Sequence, residues 1–370
     1  MENDREARAH RAVERACAEA TSVVELCRGV RAAVDDVMPS DRWCGFAVDP
    51  STLFATNGYH DEGFDLHLVP RLLELEVGSD DVNQLPALAR TRSGIATLTE
   101  TTGGDPAESA RWRDVIVPSG LTYELRALFR TGSHAWGALV FMRGSDVADF
   151  TPADAAFVQR IAPTVAQGFR GVLVRQHLGH GEDTREAGIL VIGGDPLEIR
   201  TATPAAKEWL DALDEGANGG QLPTAVQSVV YAARAQRGSP ATARARTRSG
   251  RWLTITAEVT VGNASGHDDV GAIVQPSRPA EIAQIVTAAH GLTPRESDTV
   301  LLVASGRTNQ EIALALDITP YTVADHLKRV FAKLGVASRG ELTSRLFFDN
   351  YFPRAAAGLD AGADGWFLPG

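Results

Sequence analysis

Three cysteines in 370 residues, at positions 17, 27 and 44, are too few and too unevenly spaced for a disulfide framework or a zinc site. Such sparse use suits a reducing compartment. Apolar runs are short as well. Stretches 138–142 and 189–192 are strand-sized, far below the roughly 20 residues that cross a bilayer. The opening Met1-Glu2-Asn3-Asp4-Arg5-Glu6 is mostly charged and has no signal-peptide core. A cytoplasmic location without a membrane partner is the expectation. Catalytic signatures are missing too: there is no G-x-S-x-G elbow, H-E-x-x-H, P-loop or G-x-G-x-x-G. Nine histidines are scattered, none near both a carboxylate and a nucleophile at helical spacing. The reading is a non-enzyme with no metal and no cofactor.

What is present is core material, 44% hydrophobic against 22% charged residues, enough for two or three globular domains. Stretch 291–348 is the most informative. Thr293-Pro294-Arg295-Glu296 has the form of a capping box with proline at the first helical position. A second box is Thr308-Asn309-Gln310-Glu311, after Gly306, and a further helix begins at Thr319-Pro320. Helices over 309–316 and 320–334, joined by Asp317-Ile318, predict a helix-turn-helix. In the later helix Val323, Leu327, Val330 and Leu334 form one apolar stripe, while Tyr321, Ala324, Asp325 and Lys328 form a second face. His326, Arg329 and Lys333 flank that face as donors suited to phosphates. A dry face, a polar face and a cationic edge suit a helix that enters a major groove. The net charge of −11 appears unfavourable for a polyanion. Within 291–348, however, seven basic residues slightly exceed six acidic ones, so the acidity lies elsewhere.

The run Leu292-Thr293-Pro294-Arg295-Glu296, with Asn309-Gln310-Glu311-Ile312-Ala313, Thr322-Val323, His326-Leu327, Lys333-Leu334-Gly335-Val336, Ser338-Arg339 and Glu341-Leu342, resembles a LuxR/FixJ-type DNA-binding domain. The resemblance implies an all-α domain of four helices. The third helix would read the groove, and a fourth, about 338–348, often dimerises. Carried over by position, Ala324, Asp325 and Lys328 would face base edges. Thr308, Thr322, Val323, His326, Arg329 and Lys333 would lie along the backbone. Many relatives have a basic residue where this chain has Ala324. Asp325 cannot contact phosphate favourably but can accept from cytosine N4. A phospho-receiver domain, the usual companion of this family, would need a lysine late in its fold. The three lysines are 207, 328 and 333, so none lies early enough.

Upstream, residues 1–177 read as an α+β domain, with a helical start over 5–38 and strands at 43–48, 123–129 and 135–142. Thr151-Pro152-Ala153-Asp154 caps a helix bearing Phe157, Ile161, Val165 and Phe169. The run Trp136-Gly137-Ala138-Leu139-Val140 followed by Phe150-Thr151-Pro152 resembles the end of a GAF domain. That family implies a sensing or dimerising module. Trp43, Phe46, Tyr123, Phe129, Trp136 and Phe141 are candidates to line a pocket for a small apolar ligand; their bland role is core. Residues 178–186 form a polar linker, where His177 and His180 lack a third metal ligand.

Residues 187–280 form a second α+β segment, with strands at 188–192, 252–261 and 270–274 and a helix starting at Thr203-Pro204. Their order is similar to a PAS domain. Arg244, Arg246 and Arg248 fall on one strand face, read as an exposed face in preference to a phosphate site. Residues 281–350 hold the DNA-binding domain, and 351–370 an aromatic tail expected to be ordered and docked. The whole reads as a homodimeric regulator of transcription that binds double-stranded DNA under small-molecule control. The alternative is control by a protein partner.

Overall fold

A computed structural model of the chain describes residues 2–61, 63–78, 81–175, 186–213, 221–260, 269–278, 281–282, 285, 288–304 and 306–347. His177, His180, the rest of the linker up to residue 185 and the 351–370 tail lie outside the described residues. The chain splits into two compact units, Met1–Gln176 with Ala187–Gln275 and His177–Glu186 with Pro276–Gly370.

The first unit is α+β with two antiparallel sheets. Its first five strands are β1 (Arg42–Val48), β2 (Ala55–His60), β3 (Ile95–Thr97), β4 (Tyr123–Thr131) and β5 (His134–Arg143), ordered β2-β1-β5-β4-β3. Register pairs Trp43 with Phe141 and Phe141 with Leu125; the neighbouring rung pairs Cys44 with Val140 and Val140 with Arg126. Adjacent residues point to opposite faces, so these rungs define two distinct surfaces. Helices α1 (Glu2–Glu19), α2 (Val23–Val34) and α6 (Pro152–Arg175) pack together, with α2 against β1 and α6 against β4 and β5. Phe169 of α6 stacks on Phe129 with ring centres 6.0 Å apart. Gly45 has no room for a side chain, because a Cβ there would stand 2.6 Å from Leu139 Cδ2 and 2.7 Å from Cys27 Sγ. Three short helices lie between these groups in sequence, α3 (Val69–Gly78), α4 (Leu85–Arg90) and α5 (Leu98–Thr101).

The second sheet comprises β6 (Gly188–Gly193), β7 (Glu198–Ala202), β8 (Ala241–Arg246), β9 (Trp252–Val259) and β10 (Val270–Pro276), in the order β7-β6-β10-β9-β8. Helix α7 (Pro204–Leu213) packs on β6, with Trp209 fully buried. Helix α8 (Thr224–Ala235) is buried from Thr224 to Ala233, because it touches β8 and β9 on one side and β2 and α3 on the other. Ser228 Oγ donates to Ala55 O at 2.9 Å, and Arg244 N donates to Asp49 Oδ2 at 2.8 Å. These bonds tie both sheets into one unit.

The exposed-strand reading is corrected here for Arg244 and Arg246. Arg244 pairs with Asp49, whose side chain is fully buried, at 3.3 Å. Arg246 is buried and donates to Leu173 O at 2.6 Å and Gly250 O at 2.6 Å. Arg248 donates to Asp211 O at 2.7 Å. Acceptors from other elements have drawn Arg244 and Arg246 in, which local alternation cannot reveal, while Arg248 stays exposed as expected.

The second unit is helical. Its helices are α9 (Pro294–Ala304), α10 (Asn309–Leu316), α11 (Pro320–Leu334) and α12 (Arg339–Phe347). Leu292, Val300, Val303, Ile312, Val323, Leu327, Val330, Leu334, Val336 and Leu342 make its core. Among the described residues, no helix is long and apolar enough to cross a membrane.

Candidate nucleic-acid interface

Local chemistry sets the ends of each helix. Thr293 N donates to Glu296 Oε2 at 2.8 Å, and Glu296 N donates back to Thr293 Oγ1 at 3.3 Å. Thr308 and Glu311 repeat the exchange at 2.7 and 3.3 Å. Each box satisfies N–H groups that a helix start otherwise leaves open. Asp317 ends α10 in the left-handed conformation (φ 54°), the short turn that redirects the chain into α11. Thr319 Oγ1 then accepts from Thr322 N at 3.1 Å, with Pro320 in the first turn. Gly335 ends α11 at φ 65°, a geometry glycine adopts without strain.

Val323, Leu327, Val330 and Leu334 all point inward. Opposite them, Tyr321, Ala324 and Lys328 are exposed, Tyr321 at 85%. Thr322, Asp325 and His326 are half-buried, while Thr308 and Arg329 are exposed. Val323 is the exception among the residues carried over by resemblance. It is fully buried, and its N–H donates to Thr319 O at 3.1 Å, so its side chain offers DNA nothing.

Two of the expected phosphate donors already have partners. Arg329 Nη2 donates to Asp325 Oδ2 at 2.6 Å. Lys333 Nζ donates to Glu296 Oε2 at 2.6 Å and to Gly291 O at 3.0 Å. Burial alone would raise the Glu296 pKa, but the Lys333 ammonium and the Thr293 N–H outweigh it and hold the carboxyl below its ordinary value. Lys333 therefore braces the end of α11 against the start of α9. Arg339 does similar work that sequence reasoning missed. Its guanidinium donates to Asn309 Oδ1 at 2.9 Å and to Arg307 O, which locks α12 to the start of α10. Beyond its place in the motif string, its sequence signal is an arginine at the first position of a helix, where a cation is not favoured.

The six aromatic candidates upstream do not converge. Phe46 lines a cavity of about 40 Å³ together with Cys44, His60, Glu124, Arg126 and Met142. Trp43 and Phe141 share the opposite rung, and Phe129 stacks on Phe169. Trp136 is fully buried, while Tyr123 sits half-buried at the start of β4. What sequence reasoning missed is the charged set: Glu124 and Arg126 alternate along β4 and would ordinarily read as a solvated edge.

Two short helices joined by a left-handed turn, the second with an exposed polar face, define a helix-turn-helix domain. The family assignment follows from comparison, for residues 290–346 match the family model GerE, described as bacterial regulatory proteins of the luxR family. The C-terminal unit thus contains a luxR-family helix-turn-helix domain. This chain is 46% identical over 54 residues to the monoamine regulon transcriptional regulator of Klebsiella aerogenes, covering 15% of this chain and 24% of that protein. It is 48% identical over 50 residues to the nitrate/nitrite response regulator protein NarL of Escherichia coli, covering 14% and 23%. The chain spans 6% to 24% of the length of such curated relatives. Among solved structures, Escherichia coli SdiA is similar at 12% identity and a TM-score of 0.34, covering 94% of this chain and 96% of that one.

Proposed function

We propose that this chain is a transcription regulator that binds a two-fold-related DNA operator as a homodimer, with α11 in the major groove. The carrying observation is α11 itself: a fully buried stripe on one side and exposed Tyr321, Ala324 and Lys328 on the other. In this reading Lys328 reaches base edges, preferring guanine O6 and N7, and Tyr321 and Ala324 approach thymine methyls. Thr308, Thr322 and Arg329 lie along the phosphates, and α12 forms the dimer contact. Residues 1–177 act as a GAF-like and 187–280 as a PAS-like sensory module, joined by the linker 178–186 and controlling the DNA-binding segment 281–350 through a small molecule.

The test is selection of bound duplexes from a randomised pool with the full chain. Enrichment of a two-fold sequence with half-sites about one helical turn apart supports the proposal. An unenriched pool, bound only through salt-sensitive phosphate contacts, refutes it. A second reading, control by a protein partner, draws on Ile189 and Ile273. They sit opposite one another across β6 and β10 and are 54% and 44% exposed.

A further inference from the structure

Arg126 is 3% exposed, yet one of its three nitrogens alone is engaged: Nη2 donates to Glu76 Oε2 at 2.7 Å. Its Nε and Nη1 are buried without a hydrogen-bond partner. Native proteins leave few buried donors in that condition, because the lost hydration is not recovered. Arg126 lines the 40 Å³ cavity, where His60 Nδ1 is a second buried nitrogen without a partner. Most of the remaining wall is apolar, including Phe46, Val140 and Met142. Burial lowers the His60 imidazole to about 4, so it is neutral near neutral pH.

The charges around the cavity are already closed. Glu76 answers Arg126. Glu124, the other carboxylate on the wall, accepts from Arg111 Nε at 3.1 Å and Nη2 at 2.9 Å, with both side chains under 3% exposed. No uncompensated cation remains for an anion, but hydrogen-bond donors do remain. A volume of 40 Å³ holds about three water-sized groups, at roughly 10–15 Å³ each.

Taking small-molecule control of the upstream unit as its premise, we propose that this cavity binds a neutral short-chain carbonyl compound or alcohol. Its oxygen accepts from an unpartnered N–H of Arg126, and its alkyl part lies against Val140 and Met142. Water alone, an anion and a purely apolar guest are the competing occupants.

The experiment uses the full chain without DNA, with ethanol and acetaldehyde as probes, acetate as the anionic control and xenon as the apolar one. The readout is the Arg126 Nε–H resonance in nitrogen-15 spectra. Both probes should shift that resonance saturably, and acetate should bind more weakly. Arg126→Met, followed through the backbone amide of Val140 on the same wall, should weaken binding about tenfold, the scale of one lost hydrogen bond. Leu73→Phe, which fills the cavity and leaves the Arg126–Glu76 pair in place, should abolish it. Tighter binding of acetate, entry of xenon alone, or a resonance unmoved by either probe overturns the proposal. DNA binding plays no part in the readout, so such a failure leaves the reading of α11 standing.

Discussion

Arg329 and Asp325, one turn apart on α11, form a 2.6 Å hydrogen-bonded ion pair beside the exposed face of that helix. The two side chains are 60% and 46% exposed, so the pair contributes little stability, about 0–1 kcal/mol. Its consequence is for DNA: the carboxylate offsets the charge of a cation that lies along the phosphates in the proposed complex. Asp325→Ala should therefore tighten binding to every duplex and steepen the salt dependence by about one unit of slope. Salt titrations on specific and random duplexes measure this. Loss of preference at a single base pair, with no general tightening, would instead identify Asp325 as an acceptor from cytosine.

Lys333 should behave as a brace. Lys333→Met leaves the buried Glu296 carboxylate without its cation, and should cost about 1–3 kcal/mol in thermal or urea unfolding. The salt slope of DNA binding should stay unchanged. A fall in that slope by about one unit would return Lys333 to the phosphates.

The same pair gives a pH dependence. Glu296 is held below its ordinary pKa in the folded protein, so its stabilisation is present above the unfolded value of about 4.3 and is lost as pH falls through the folded one. Between pH 6 and pH 3, wild type should lose more stability than Lys333→Met. Parallel acid-unfolding curves for the two proteins would falsify this assignment.

Arg111→Met removes the cation from a pair with Glu124 in which both side chains are under 3% exposed. Burial alone would lower the Arg111 pKa, yet Glu124 raises it above its ordinary value. The orphaned carboxylate should cost about 3–5 kcal/mol. Urea denaturation of the full chain, read by a probe in the upstream unit, checks this. A loss under 1 kcal/mol contradicts it.

Thr308→Ala deletes one capping box and should cost about 1 kcal/mol, with Thr308→Ser close to neutral. Equal losses for both variants in thermal unfolding would point to packing of the threonine methyl and not to the cap.

The helix-turn-helix was legible because its determinants are local. Capping boxes span three residues, and the stripe from Val323 to Leu334 repeats with the helix period, so both survive without tertiary knowledge. Partnerships between distant residues were not legible. Lys333 reads as a free donor until folding brings Glu296, 37 positions away, within 2.6 Å. Upstream, aromatic residues on strands suggested a pocket, yet Trp43 and Phe141 face the rung opposite the cavity. Glu124 and Arg126 drew no reading from the sequence, because alternation along β4 cannot tell that both of its faces are buried.

The central claim is that α11 reads base edges from the major groove. Methylation interference on the selected operator tests it most directly, since N7-methylguanine blocks the major groove and N3-methyladenine the minor groove. The account predicts that N7-methylguanine in each half-site abolishes binding, and that Lys328→Ala removes this sensitivity at one guanine per half-site while costing about 1–3 kcal/mol. Interference confined to N3-methyladenine, or indifference to both modifications, would contradict it.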